Sequence, residues 1–268
     1  QKSNSNHRVE ASVTYGNDYD RITNNNDNLY VYYTVAGSFG GNIHSGNDSS
    51  DLFLTTTIKS GTFGDSNTTA SGAYVGGLMG GTINDTYRMI VEGGKIKNLN
   101  GGPLISSNLS NSNSIYINVK GGEIDAIYGG AARTETFGNR IISVTDGVVN
   151  YSVFGGSNGV EGSGSEGTLT GDSFIYVGGN AKIGNRNDNI WGAEAGSIFG
   201  IGNGRSGYSN IGSAANSNIM IDGNATINNN IYGGGNYGAV GVSSRHNTTN
   251  TNILLKGGNV LGSVYGGG

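Results

Sequence analysis

The stretch VKGGEIDAIYGG, residues Val119–Gly130, contains two Gly-Gly pairs, each close to apolar residues. A glycine-rich loop can cradle a phosphate when Gly-Lys-Ser/Thr and the N-terminus of a helix follow it. The sequence here continues with neither that motif nor a helical period. The other interpretation is that the stretch is one unit of a repeat, and the rest of the chain distinguishes the two.

Variants of VKGGEI recur along the chain with an apolar residue before a glycine-containing turn and another apolar residue after it. The first apolar residues are Ile58, Val91, Val119, Val144, Val177, Ile221 and Leu255. Their spacings are 33, 28, 25, 33, 44 and 34 residues. A period between about 20 and 50 residues is typical of repeat architectures.

A second motif comes after each of these anchors from the second onward: an apolar residue, then a residue that is aromatic in every copy but the first, Asn100, then glycine. Its copies begin at Leu99, Ile127, Val153, Ile198, Ile231 and Val264. Two motifs that recur in the same order favour a repeat over an isolated glycine loop.

Within a repeat, apolar and polar residues alternate, as in Ile115, Ile117 and Val119. Alternation of this kind and the β-branched residues predict short strands with one buried face. We therefore expect an all-β fold, a right-handed parallel β-helix (β-solenoid) of about seven to nine coils, each of roughly 25–44 residues with loop insertions. Each coil would use one strand before the Gly-Gly, one after it and one near the Tyr-Gly-Gly.

Stacking the coils at Val91 and Val119 predicts a ladder of opposite charges. The pairs are Glu92 with Lys120, Lys95 with Glu123, and Lys97 with Asp125. Neighbouring strands about 4.8 Å apart would bring such side chains into contact. A carboxylate site at Glu92 or Glu123 is the less favoured interpretation.

The aromatic residue of the second motif also recurs. Its positions are Tyr128, Phe154, Phe199, Tyr232 and Tyr265. We expect a structural stack of rings, with a sugar-binding aromatic track as the alternative.

The chain divides into two regions. Residues 1–51 carry degraded versions of the repeat and are interpreted as irregular N-terminal coils or a cap, and residues 52–268 as the solenoid. The last repeat has no visible cap, which predicts that the natural protein continues or that this open end pairs with another copy.

Composition and motifs exclude several classes of function. The formal net charge of −4 argues against nucleic-acid binding. The chain has no cysteine and no apolar run long enough to span a membrane. The three histidines, His7, His44 and His246, form no recognisable triad or zinc site. The tandem calcium-binding nonapeptide is absent, and isolated Gly/Asn/Asp loops leave calcium open. We expect no enzymatic activity, no resident metal and no cofactor.

The longest insertions lie within the 44-residue step and are the candidate ligand-binding region. They carry Asp188, Trp191, Glu194 and Tyr208. An exposed tryptophan beside carboxylates suits a carbohydrate, whereas the alternative is that Trp191 packs the insertion against the core.

The sequence IYGGGNYG, from Ile231, together with the V-x-G-G-x-I motif, resembles repeats of large bacterial cell-surface β-helical proteins of the adhesin-like or fibre-forming kind. The resemblance covers roughly residues 52–268. It implies export, a right-handed β-helix, and a role as a stalk, an adhesin or an extracellular filament.

Three functions follow from these observations. The first is a structural or adhesive extracellular subunit that associates through its open ends, with a carbohydrate or a host surface as a further partner. The second is a polysaccharide-binding or polysaccharide-degrading β-helix, with Arg186, Asp188 and Glu194 as the residues that support it. The third, binding to ice or a flat surface, needs a regular threonine ladder, which Thr55–Thr57 alone does not provide.

Overall fold

The structure is a computed structural model. It describes residues 12–15, 30–31, 33–36, 53–64, 72–75, 82–83, 86–102, 108–109, 114–131, 138–158, 169, 171–186, 193–204, 215–237 and 250–268. These residues form strands and turns and contain no helix. Twenty strands belong to one curled sheet, and every pairing between them is parallel.

The strands fall into eight successive sets, here called tiers 1 to 8, each paired with the set before and after it. Tiers 1 and 2 are β1 (Ser12–Tyr15), β2 (Tyr30–Val31) and β3 (Tyr33–Ala36), then β4 (Phe53–Ile58), β5 (Thr62–Phe63) and β6 (Gly72–Val75). Tiers 3 and 4 are β8 (Thr86–Val91) and β9 (Lys95–Asn100), then β11 (Ile115–Tyr128). The short strands β7 (Thr82–Ile83), before tier 3, and β10 (Asn108–Leu109), before tier 4, form a separate parallel pair.

The later tiers repeat the same plan. Tiers 5 and 6 are β12 (Arg140–Val149) and β13 (Val153–Phe154), then β14 (Ser173–Val177), β15 (Lys182–Ile183) and β16 (Ile198–Phe199). Tiers 7 and 8 are β17 (Ser217–Ile221), β18 (Thr226–Ile227) and β19 (Ile231–Tyr232), then β20 (Thr251–Leu255), β21 (Asn259–Val260) and β22 (Val264–Tyr265).

The predicted register is confirmed for both motifs. The seven anchors from Ile58 to Leu255 occupy one row, in which each residue pairs with the anchor of the next tier. The second-motif residues from Leu99 to Val264 form another such row. Both rows are buried from tier 3 to tier 7 because their side chains contact the same apolar core.

Tiers 1, 2, 6, 7 and 8 have the expected three strands, whereas tiers 3, 4 and 5 have fewer. In tier 4 the single strand β11 runs through Gly121 and Gly122, with register shifts on either side of Lys120. Gly122 has a φ of 86°, a backbone conformation that glycine adopts without steric cost, so the chain turns there while keeping its ladder of hydrogen bonds. Ile124 and Ile127, predicted as core residues, are fully buried.

The division at residue 51 stays a prediction. Of residues 1–51 the structure describes β1, β2 and β3, which pair in parallel with β4, β5 and β6.

Candidate functional site

The predicted ligand-binding insertion is described at one of its four residues. Glu194 lies on the turn that precedes β16, whereas Asp188, Trp191 and Tyr208 lie outside the described residues. The Glu194 backbone carbonyl accepts a hydrogen bond of 2.7 Å from Ser152 Oγ, which fixes the turn against tier 5.

The Glu194 carboxylate forms a small polar cluster with two residues of tier 7. Its Oε2 accepts hydrogen bonds from Asn230 Nδ2 at 2.8 Å and from the Tyr232 hydroxyl at 3.1 Å. Asn230 Nδ2 also lies 3.0 Å from the Tyr232 hydroxyl oxygen. The sequence analysis did not single out Asn230, although it directly precedes the second motif of its tier.

The electrostatics of the cluster favour a neutral phenol. Burial raises the pKa of Tyr232, and the hydrogen bond and negative charge of Glu194 raise it further, while the hydrogen bond from Asn230 opposes the shift. A phenol, an amide and a carboxylate together offer donors and acceptors of the kind that sugar hydroxyl groups can bind.

The five predicted aromatic residues form one stack on the outer side of the core. Successive ring centroids lie 4.9 to 5.0 Å apart, and the interplanar angles are between 5° and 9°. Each ring belongs to a different tier, so the centroid spacing follows the spacing between strands.

This stacking limits what the rings can bind. Tyr128 and Phe154 are fully buried, and rings inside the stack have their faces against the neighbouring rings. Tyr265, in tier 8, is 47% exposed and has one ring face directed away from the stack. A sugar could therefore stack on Tyr265, but a continuous track of open ring faces does not exist among these five residues.

An ion pair is described for one of the three predicted charge pairs. Lys95 pairs with Glu123 in the sheet, and Lys95 Nζ lies 3.7 Å from Glu123 Oε2. The neighbouring pairs Ile96–Ile124 and Asn98–Ala126 place Lys97 beside Asp125. Glu92 directly follows Val91 and Lys120 directly follows Val119, and these two valines pair with each other in the sheet. Both charged residues lie where the chain turns.

Two of the three carboxylates of this ladder, those of Glu123 and Asp125, accept a hydrogen bond from the same amide group. Asn150 Nδ2 donates hydrogen bonds of 2.9 Å to Glu123 Oε1 and to Asp125 Oδ1. Asn150 Oδ1 in turn accepts a 3.4 Å hydrogen bond from Asn185 Nδ2 of the next tier. The carboxylates are thus held by amide groups, which suits a structural role.

A ladder of Asx side chains was missed by the sequence analysis. One such residue stands immediately before the first strand of each of tiers 5 to 8: Asn139, Asp172, Asn216 and Asn250. Each side-chain oxygen accepts the backbone N–H of the next member, at 2.9 to 3.1 Å. The ladder could have been predicted, because each of these Asn or Asp residues directly precedes the apolar alternation of its strand.

The described part of the chain contains no group of three or more His, Cys, Asp or Glu residues arranged to hold a metal ion. The three histidines lie outside it. Among the same residues, no helix has the length and apolarity that crossing a membrane requires.

Comparison of the chain with protein families, with curated proteins and with solved structures gives no match.

Proposed function

We propose that the chain is a right-handed β-solenoid with a non-enzymatic, extracellular role at the cell surface, and that it acts as a structural or adhesive subunit of a fibre. Each tier is then one coil, and copies associate end to end. The support is the unbroken succession of tiers, in which the anchor row stays apolar from one strand to the next.

The observation that carries this proposal is the outer edge of tier 8. Its strands pair with tier 7 on one side, and the described residues place no strand on the other side. Leu255, Leu261, Val264 and Tyr265 occupy apolar or aromatic positions there and are exposed. An edge with free N–H and C=O groups and apolar side chains is suited to receive another parallel strand, from a continuation of the same polypeptide or from a second copy.

The occupant we infer is tier 1 of a second copy. Among the described residues tier 1 forms the opposite edge of the same sheet, and its strands pair in parallel, so adding it to tier 8 continues the direction of the ladder. In the same register, Val13 of β1 would continue the row that ends at Ile253, and Tyr15 would continue the row that ends at Leu255. Contact between unlike ends of identical subunits does not close on itself and generates a filament.

The first glycine of the second motif in each tier provides a test of this end-to-end association. In the interior tiers, a Cβ at Gly129, Gly155, Gly200 or Gly233 would collide with the glycine carbonyl of the next tier. Gly266 is the tier 8 member of this set, and a Cβ there meets no atom within 4 Å. A side chain at Gly266 is therefore compatible with the isolated chain but blocks a further tier.

The experiment compares the wild-type chain with Gly266→Val and with the control Lys256→Ala, an exposed residue of the same tier. Sedimentation velocity at rising concentration and negative-stain electron microscopy should show filaments for the wild type and the control. Gly266→Val should remain monomeric with an unchanged melting temperature. A wild-type chain that stays monomeric at high concentration, or a Gly266→Val chain that assembles normally, would contradict the proposal.

The Glu194 cluster favours a second candidate function, binding of a polysaccharide. A sugar ring stacked on the open face of Tyr265 would lie two ring spacings from Tyr232, which stacks on the opposite face of Tyr265. A polysaccharide would therefore have to extend along the stack to reach Glu194, Asn230 and Tyr232 as well. Affinity electrophoresis in gels that contain different polysaccharides tests this function. Retardation that is lost in Tyr265→Ala and weakened in Glu194→Gln supports it, and equal mobility of all three chains in every gel contradicts it.

A further inference from the structure

Arg140 is the first residue of β12 and the largest fully buried side chain in the described part of the protein. It occupies a row whose other members are Leu54 in tier 2, Tyr87 in tier 3, Ile115 in tier 4, Ser173 in tier 6, Ser217 in tier 7 and Thr251 in tier 8. Small or apolar side chains therefore flank a guanidinium group that is 1% exposed.

Two hydroxyl members of this row donate a hydrogen bond to a glycine carbonyl, whereas Ser217 Oγ is buried without a hydrogen-bond partner. Ser173 Oγ donates a hydrogen bond of 2.6 Å to the carbonyl of Gly200, and Thr251 Oγ1 donates to the carbonyl of Gly266. A hydroxyl group is sufficient for this contact. The guanidinium of Arg140 instead adds a positive charge and five N–H donors to the interior.

Arg140 uses one of its three nitrogen atoms for hydrogen bonds within the described structure. Nη1 donates to the backbone carbonyls of Asn139 at 3.0 Å and Gly138 at 3.3 Å. Nε and Nη2 are buried and have no partner there, and no described carboxylate forms an ion pair with the group. These two nitrogens lie side by side on one edge of the planar guanidinium, the edge that binds a carboxylate through two parallel hydrogen bonds.

Burial of an unpaired guanidinium has a high free-energy cost, which an anion at its donors offsets. The same burial lowers the pKa of Arg140 to about 9. We propose that the Nε–Nη2 edge of Arg140 is a binding site for one small monovalent oxyanion of the carboxylate type. This inference does not depend on the proposed function.

The chemistry of the edge restricts the ligand. Two donors side by side select an anion with two coplanar oxygen atoms, and a single buried positive charge favours a single negative charge. Packing is close at the base of the side chain, where a Cβ at Gly129 would lie 3.2 Å from Arg140 Cβ, and both donor nitrogens are buried. Formate is the probe that meets these conditions with the smallest volume.

Thermal unfolding with formate tests the site. The wild-type chain, Arg140→Met and the surface control Lys182→Met are compared in sodium formate and in sodium chloride of equal ionic strength. Formate at ten times its dissociation constant should raise the melting temperature of the wild type and the control by about 3 °C. Arg140→Met should show no difference between the two salts, and a shift equal to that of the wild type would overturn the site.

A second measurement covers the case in which Arg140→Met does not fold. The arginine Nε–H resonances of the ¹⁵N-labelled wild-type chain are followed by NMR during a formate titration. One arginine resonance should shift in a saturable manner and slow its exchange with water. Absence of a saturable shift, or a saturable shift of a resonance that persists in Arg140→Gln, overturns the proposal.

Discussion

Tiers 7 and 8 have nearly the same pattern of residues but very different environments. Ile221 is fully buried, whereas its row neighbour Leu255 is 47% exposed. Likewise Ile227 is buried, whereas Val260 in the same row is only partly covered. The apolar pattern therefore determines the row that a residue occupies, but burial depends on having a tier on both sides.

The largest effect expected from this comparison concerns the anchor row. Ile221→Ala should lower the free energy of unfolding by about 2–5 kcal/mol, because it leaves a cavity between tiers 6 and 8. Leu255→Ala, in the same row, should cost less than about 1 kcal/mol because much of its surface is already exposed. Urea denaturation of the monomeric chain measures both changes. Equal losses would mean that tier 8 is covered in solution.

The rows could be predicted from the sequence because they depend on local chemistry that repeats. Apolar alternation indicates the inward face, and glycine marks the turns, so the anchors from Ile58 to Leu255 align without a structure. The spacing of Val91 and Val119 was also sufficient to place Lys95 beside Glu123.

Contacts between residues that occupy non-equivalent positions in different repeats could not be predicted in this way. Glu194 lies in an insertion, and its partners Asn230 and Tyr232 are 36 and 38 residues further on. Nothing in the local sequence indicates that this turn faces tier 7. Arg140 was missed for a different reason, because an arginine at the start of a strand is ordinarily interpreted as a solvated residue.

The second prediction compares Arg140 with the other residues of its row. Arg140→Met replaces the buried charge with an apolar side chain of similar length, and it should stabilise the chain by about 1–4 kcal/mol at pH 7 in chloride buffer. The row would then be apolar or weakly polar in every tier from 4 to 8. A loss of stability in urea denaturation would mean that the guanidinium is already compensated.

The pH dependence of this difference has a definite sign. Because the pKa of Arg140 is lowered to about 9 in the folded chain, the unfolded chain binds more protons above that pH. The stability of the wild type should therefore rise relative to Arg140→Met as the pH increases from 9 towards 11, by up to about 1.4 kcal/mol per pH unit. Below pH 8 the difference should be constant. A flat difference up to pH 11 would contradict a lowered pKa.

The third prediction applies the comparison to the Asx ladder. Asn216→Ala removes the 2.9 Å acceptor of the Asn250 N–H and the 2.8 Å donor to Asp172, and it should cost about 1–2 kcal/mol. Asn250→Ala changes an exposed side chain of the same ladder and should cost less than about 0.5 kcal/mol. Hydrogen exchange at the Asn250 amide checks the first change directly, because its protection should fall in Asn216→Ala. Unaltered protection would mean that the Asx ladder does not contribute to the stacking of the tiers.

The smallest expected effect concerns Lys95 and Glu123, a pair that the register brings together but solvent largely surrounds. Their side chains are 71% and 44% exposed, so a double-mutant cycle with Lys95→Ala and Glu123→Ala should give a coupling of about 0.2–1 kcal/mol that decreases with salt. Glu123 also accepts a hydrogen bond from Asn150, so Glu123→Ala should cost more than Lys95→Ala. A coupling near zero at low salt, together with equal single losses, would mean that tiers 3 and 4 do not keep this register at the surface. The alignment of tiers 3 and 4 would then depend on the buried rows alone.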